Sequence, residues 1–311
     1  MVRSGAFRVS PRLTAVGWLA VAFAASALVA CGQQSGPAPG RVLVVAAENF
    51  WGSIAGQIGG AHVQLKSIIV NPDTDPHEYE PTPSDGRAIA SAEYVIVNGA
   101  GYDPWAGKLV DANPAESRTL LDVGRLNRVA AGGNPHMWYS PAYVARVIDQ
   151  VTADLKRIDP SDESYFDVQR TAYLSQGLAR YDSLRAQIRL RYASVAVGAT
   201  ESIVVYLAAD LGLDLTSPQG FMSAISEGNE PTAADKAAFD RQVESRQIKV
   251  LVFNSQNSTP DVQALVRAAR GLGIPVVALT ETLSPASATF QDWQSAQLQD
   301  LATALAAGIG Q

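Results

Sequence analysis

Three histidines occur in the 311 residues, and two of them sit in proline-rich loops. His77 lies in Asn71-Pro72-Asp73-Thr74-Asp75-Pro76-His77-Glu78-Tyr79-Glu80-Pro81-Thr82-Pro83. His136 lies in Asn134-Pro135-His136-Met137-Trp138-Tyr139-Ser140-Pro141. A proline fixes its own φ and pushes its predecessor away from helix, so both imidazoles ride on stiff mounts. Imidazoles held this way are candidate metal ligands. There is no HExxH run and no cysteine pair, hence no local metal motif. A site would have to be assembled from distant stretches. Ligands in open α/β sheets bind beyond the carboxyl ends of strands, so polar groups just after strand-like runs are the natural partners. His77 follows the run 63–70, Glu201 follows 193–199, and Glu281 follows 274–279. Two neutral imidazoles and two carboxylates balance one divalent cation. Imidazole suits zinc, copper, iron and nickel, whereas carboxylate suits harder ions such as manganese.

Each of these residues also has an ordinary structural reading. Glu201 could simply favour the positive end of a helix. Glu281 could be a solvated loop acid. His62, after Gly59-Gly60-Ala61, reads as exposed and structural. Asp75, Glu78 and Glu80 read as groups that stiffen or support the His77 loop. Trp138, Tyr139, Tyr102 and Trp105 read as walls of a cleft.

The elements that would position these groups alternate between strand and helix. Residues 41–47 form a continuous apolar run, the type buried on both faces of a parallel sheet. A helix opens at Glu48-Asn49-Phe50-Trp51 and stops at Gly59-Gly60. Further strands are expected at 63–70, 94–97 and 118–123, with helices at 84–92 and 105–111. After the His136 loop, Val144, Val147, Ile148, Val151, Leu155 and Ile158 recur at helical spacing. Residues 162–192 contain no proline and a single glycine, Gly177. They predict one helix of about 30 residues, roughly 45 Å long, with two helices broken near Gly177 as the alternative. The second half repeats the pattern, with strands at 193–199, 247–253 and 274–279 and helices from Thr200, at 261–272 and at 289–307. Thr232-Ala233-Ala234-Asp235 resembles a capping box. Each half opens with an apolar strand and then a helix whose first turn carries a glutamate, Glu48 or Glu201. The expected fold class is α/β: two parallel-sheet lobes, 41–161 and 193–311, joined by one long helix at 162–192.

The first forty residues read as targeting rather than fold. Arg3, Arg8 and Arg12 precede an apolar run, 13–29, with small residues after it. That is the layout of a signal peptide, 1–30; a single membrane-spanning helix is the competing reading. The only cysteine is Cys31, in Leu28-Val29-Ala30-Cys31-Gly32, which resembles a bacterial lipobox. The resemblance implies cleavage before Cys31 and acylation there, and two or more chains anchor stably. Residues 31–40 would then be the lipidated cysteine and a flexible Ser/Gly/Pro tether. A net charge of -6 argues against a nucleic-acid partner. With one cysteine there is no disulfide to form.

Taken together, the motifs resemble the metal-binding solute receptors of ABC importers that take up zinc or manganese. Asp75-Pro76-His77-Glu78-Tyr79-Glu80-Pro81 is similar to that family's first histidine motif, and Pro135-His136-Met137-Trp138 to its second. Thr200-Glu201 with Leu211-Gly212-Leu213 resembles the third, and Glu281-Thr282-Leu283 stands where an Asp-x-Leu run is common. Ser226-Glu227-Gly228-Asn229-Glu230-Pro231 also fits. The resemblance runs from Arg41 to the end of the chain. It implies His77, His136, Glu201 and Glu281 as metal ligands, with zinc or manganese as transported cargo and no catalytic cofactor. It further implies an extracytoplasmic, lipid-anchored monomer that serves a cognate permease and makes only small domain motions. No histidine lies in 111–134, so no His-rich shuttle loop is expected. Two alternatives stay open: a metal-dependent hydrolase with Glu48 as base, and a surface adhesin or metal chaperone without a permease. His77→Ala should weaken metal binding by more than about 100-fold, beyond the usual effect of losing a ligand's supporting partner. His62→Ala should leave it unchanged. Calorimetric titration of both variants checks this, and equal effects would remove His77 from the site.

Overall fold

The computed structural model describes residues 5–6, 40–72, 74–76 and 79–310. The signal segment apart from residues 5–6, Cys31 and the tether up to 39, and His77 with Glu78, lie outside the described residues. Residues 39–311 form one compact unit.

The unit contains two four-stranded parallel sheets with the same topology. The first is built from β1 (Val42–Glu48), β2 (Val63–Ile69), β3 (Tyr94–Val97) and β4 (Thr119–Asp122), in the order β2-β1-β3-β4. The second uses β5 (Ala196–Ala199), β6 (Asp214–Leu215), β7 (Val250–Asn254) and β8 (Val276–Leu279), in the order β6-β5-β7-β8. The echo between the halves of the sequence is thus an echo in strand order. In both sheets the order reverses between the first and third strands, and this reversal opens a crevice at their carboxyl ends. Glu48, Asn98, Thr200 and Asn254 all stand at those ends. The two-residue β6 is not anticipated by the sequence, because Asp214-Leu215 is too short to show a period.

Eleven residues of α1 (Asn49–Gly59) lead from β1 towards β2. The helix lies so close to β2 that a Cβ on Gly52 would run into the Ser67 hydroxyl and make that side chain turn away. The helix α2 (Pro83–Ser91) starts at a capping box in which Asp85 Oδ2 accepts from the Thr82 N–H at 2.9 Å and the Thr82 hydroxyl at 2.7 Å. After β3, Gly99 adopts φ +68 and the N–H groups of Asn98 and Gly99 turn onto Asp103, which precedes α3 (Pro104–Ala112). A short α4 (Val123–Asn127) and the loop carrying His136 lead to α5 (Pro141–Ile158), capped by Ser140. The apolar stripe expected on α5 is buried at Val144, Val147, Ile148, Val151 and Leu155.

The connecting segment is helical almost throughout, but it is not one uniform helix. It comprises α6 (Glu163–Ala172), a π-helical turn at Tyr173–Gly177 and α7 (Ala179–Tyr192). The turn ends at the glycine the sequence marks. A Cβ on Gly177 would approach the Tyr173 ring to 2.9 Å, so a larger residue would crowd the extra-wide turn.

In the second half, α8 (Val205–Leu211), α9 (Gln219–Ser226), α10 (Ala233–Glu244), α11 (Pro260–Gly271) and α12 (Phe290–Gly308) complete the layers. Thr232 caps α10 by accepting from the Asp235 N–H at 3.1 Å, as the capping-box pattern predicts. One apolar cluster runs through both sheets, from Val44 and Ile96 through Trp138, Val147 and Ile188 to Val252 and Leu305. Smaller clusters fill the outer layers. Helix α12 touches both halves: Phe290 N donates to Ser53 Oγ of α1 at 2.9 Å, and the Trp293 indole donates to Thr280 just after β8 at 2.8 Å.

Ile148→Ala, at a fully buried position of α5, should cost about 2–5 kcal/mol. Leu190→Ala, at a residue 86% exposed, should stay within about 0.5 kcal/mol. Urea melts of the two variants measure the contrast.

Candidate metal centre

The structure brings three of the four candidate ligands together. One ligand atom each from His136, Glu201 and Glu281 lie within 4.8 Å of one another, and all three residues are buried. They come from the β4–α5 connection, the residue after Thr200 at the end of β5, and the turn after β8. His77 is outside the described residues, but the chain on either side of it is pinned. Gln256 donates to the Pro72 carbonyl, the Trp105 indole donates to the Pro76 carbonyl at 3.2 Å, and the Tyr79 hydroxyl donates to Asp85 at 2.9 Å.

His136 is oriented by its neighbour two residues back. Asn134 Oδ1 accepts from the His136 backbone N–H at 3.0 Å and stands 2.8 Å from Nδ1. The Asn134 amide is itself fixed, since its Nδ2 donates to the Ser202 carbonyl at 2.9 Å. Its oxygen must therefore face the ring, so Nδ1 carries the proton and Nε2 keeps its lone pair. This is the arrangement in which imidazole ligates metals. Trp138 packs edge-on against the ring at 5.3 Å, and Tyr102 likewise at 6.4 Å.

The two carboxylates are held by side-chain donors. Asn257 Nδ2 donates to Glu201 Oε2 at 2.9 Å. Asn254 Nδ2 donates to Glu281 Oε1 at 2.6 Å, and the Tyr102 hydroxyl donates to Glu281 Oε2 at 2.8 Å. Gln256 Oε1 accepts from the backbone N–H of Glu281 at 2.5 Å and of Thr282 at 3.1 Å, which fixes the turn. Glu201 Oε1 has no hydrogen-bond partner among the described residues. Burial first, and the nearby Glu281 second, push the Glu201 carboxyl well above its usual range, against the pull of Asn254 and Asn257; Asp75 adds to the rise. Beside the cluster a cavity of about 160 Å³ is lined by Thr74, Asp75, Glu227, Gln256, Asn257 and Glu281. The carboxylates of Asp75, Glu227 and Glu281 give it a field that favours cations.

The remaining candidates fall elsewhere. His62 is half-buried; its Nδ1 pairs with Asp162 at 2.5 Å and its ring stands 4.2 Å from that of Tyr165. Tyr139 donates to the Thr280 carbonyl and to Gln297 rather than lining an open cleft. Tyr102 is more than a wall, since it donates to Glu281. Glu48 is fully buried against Asp103, away from solvent. Burial, with the Asp103 charge and hydrogen bond, raises the Glu48 carboxyl well above its usual range; burial also pushes Asp103 up to about 6 despite the Gly99 and Asn98 N–H groups. Both shifts favour the neutral form of the Glu48 carboxyl beside Asp103. Asn134, Asn254, Gln256 and Asn257 are the site residues that sequence reasoning passed over. The signal existed for the last three: Asn254 ends β7 and Gln256 and Asn257 follow it, where the strand-end rule looks for polar groups.

The profile of the family described as zinc-uptake complex component A, periplasmic (ZnuA), matches residues 44–304. The chain belongs to this family. ZnuA-family proteins are metal-binding receptors and not enzymes. The manganese-binding lipoprotein MntA of Halalkalibacterium halodurans is 30% identical over 135 residues, 42% of this chain and 44% of that protein. The zinc-binding lipoprotein AdcA of Streptococcus pneumoniae is 24% identical over 249 residues, 74% of this chain and 48% of that protein. The chain thus spans about half the length of these curated relatives. A Mn-bound periplasmic metal-binding protein (S38A mutant) from Candidatus Liberibacter asiaticus shares the fold, with TM-score 0.71 and 20% identity over 85% of this chain and 100% of that one.

The Glu48–Asp103 pair sets a pH dependence in the metal-free ZnuA-family chain. Both carboxyls have raised pKa values in the fold, so their contribution to stability is fully present below the unfolded value near 4 and is lost as pH rises through about 6 and above. Metal-free protein should therefore be more stable near pH 5 than near pH 7.5. Glu48→Gln replaces the buried acid beside Asp103 with a group that is neutral at every pH. It should flatten that difference and gain about 1 kcal/mol at pH 7.5, one pKa unit's worth. Urea melts at the two pH values read the effect.

Proposed function

We propose that this protein is the extracytoplasmic receptor of an ABC importer, capturing zinc or manganese between its two lobes and handing the ion to a permease. His77, His136, Glu201 and Glu281 are the ligands. The lobes are 41–161 and 193–311, with 162–192 between them, and acylated Cys31 followed by a tether to residue 40 holds the receptor at the membrane. One observation carries the reading above all: one ligand atom each from a buried imidazole and two buried carboxylates lie within 4.8 Å of one another, and among the described residues Glu201 Oε1 has no hydrogen-bond partner. Two buried acids at that separation repel, and a divalent cation is the partner that turns the repulsion into attraction. The tautomer that Asn134 imposes on His136 supports the same conclusion. Relatives named for manganese and for zinc are consistent with either ion.

Binding must displace the proton that the raised pKa keeps on Glu201, so affinity should fall as pH drops below about 6.5, where histidine also protonates. Elemental analysis of protein purified without added metal should find about one transition-metal ion per chain. His136→Ala should abolish it. Calorimetry showing proton release on zinc addition would support the ligand set, whereas affinity independent of pH between about 5 and 8 would exclude histidine ligation. Labelled palmitate incorporated by the chain but not by Cys31→Ala would establish the anchor.

A further inference from the structure

Of the three histidines, His62 alone is not a candidate ligand of the buried centre. It has ligand-type neighbours of its own. One ligand atom each from His62, Asp159 and Asp162 lie within 4.8 Å of one another, and all three residues are half-buried. His62 Nδ1 stands 2.5 Å from Asp162 Oδ2. Two carboxylates thus meet one imidazole, and among the described residues no lysine or arginine pairs with either. The segments that carry them are held in place. Gly60–His62 is a single 3-10 turn between α1 and β2, and Pro160–Asp162 is another between α5 and α6. The Tyr165 hydroxyl on α6 accepts from the Ala61 N–H at 3.0 Å, and the Tyr165 ring lies 4.2 Å from that of His62. Buried Phe166 meets the imidazole edge-on at 6.1 Å. The Asp159 N–H donates to the Leu155 carbonyl at 2.8 Å, and the Ser161 hydroxyl engages Asp159 Oδ1 at 2.6 Å.

This cluster is separate from the buried centre. His62 immediately precedes β2, so it stands at the amino end of the first sheet, whereas the crevice opens at the carboxyl ends. The seven residues of β2 alone span roughly 20 Å. We propose that His62, Asp159 and Asp162 form a second, exchangeable site for a divalent transition metal of the zinc type. One imidazole nitrogen and two carboxylate oxygens supply three ligands, and at a half-exposed position water completes a tetrahedral shell. The imidazole sets the preference for zinc over calcium or magnesium, which take oxygen ligands. A neutral imidazole with two carboxylates also balances the charge of the ion. Ligands about 2.0–2.2 Å from zinc stand somewhat over 3 Å apart, so the His62–Asp162 contact opens by about 1 Å around it. The bound ion clips the start of β2 to the start of the connecting segment. Because the site is half-exposed, its ion is lost on purification while the buried one is kept.

Equilibrium dialysis of the untagged chain against excess zinc should find a weaker ion beyond the one retained through purification. His62→Gln and Asp162→Asn should each lose the weaker ion and keep the tighter one. Nuclear magnetic resonance reads the imidazole itself: the ring signals that His62→Gln removes should shift in the wild-type chain only as the second equivalent of zinc is added. No uptake beyond the first ion overturns the proposal. So does a weaker ion that both folded variants retain, which would be adventitious zinc only. If a variant fails to fold, the wild-type spectrum decides, and imidazole signals that all stop moving after the first equivalent end the idea. The outcome is independent of the receptor reading, which fails when the tight ion is absent or unaffected by His136→Ala.

Discussion

Two carboxylates buried side by side are the constraint around which this molecule is arranged. Glu201 and Glu281 are 1% and 6% exposed, and the charged forms of such groups lose their hydration and repel each other. The surrounding donors, Asn254, Asn257 and Tyr102, offset part of that cost. Burial and the neighbouring Glu281 raise the Glu201 carboxyl, which favours its neutral form. Tyr102 remains a neutral donor throughout, because burial first and Glu281 second raise its hydroxyl far above the usual range.

Holding such a site open to an ion requires walls that do not collapse. The repeated strand order puts two crevices at the carboxyl ends of two sheets, and the candidate ligands Glu201 and Glu281 follow the ends of β5 and β8. A single apolar cluster then runs from one sheet to the other through Trp138, Val147 and Leu305. Pulling the halves far apart would expose that cluster to water, at about 25 cal/mol for each Å². Helix α12 adds hydrogen bonds to α1 and to the β8 end.

A second buried acid pair sits beneath the first. Glu48 closes β1 and Asp103 accepts from the N–H groups of the β3 turn, and burial with their mutual repulsion raises the Glu48 carboxyl. A glutamate at the start of each half looks in sequence like a repeated functional position. The fold separates them: Glu201 meets His136, whereas Glu48 meets Asp103. The repeat is therefore one of architecture and not of chemistry.

Period and punctuation in the sequence were enough for the alternating strands and helices, the buried stripe of α5 and the cap at Thr232; of the two readings left for 162–192, the single uniform helix gave way to the interruption that ends at Gly177. These are local properties, written in residues a few positions apart. The strand-end rule and the proline-mounted loops were enough to pick out His136, Glu201 and Glu281, since strand ends are also local. Tertiary structure alone decided that these three converge, that Glu48 turns to Asp103, and that Asn134, Asn254, Gln256 and Asn257 set ligand orientation. Those partners lie as much as 184 residues apart, as Gln256 and Pro72 do. An amide side chain has no spacing signature of its own. Its role exists only once packing has chosen which acceptors face it.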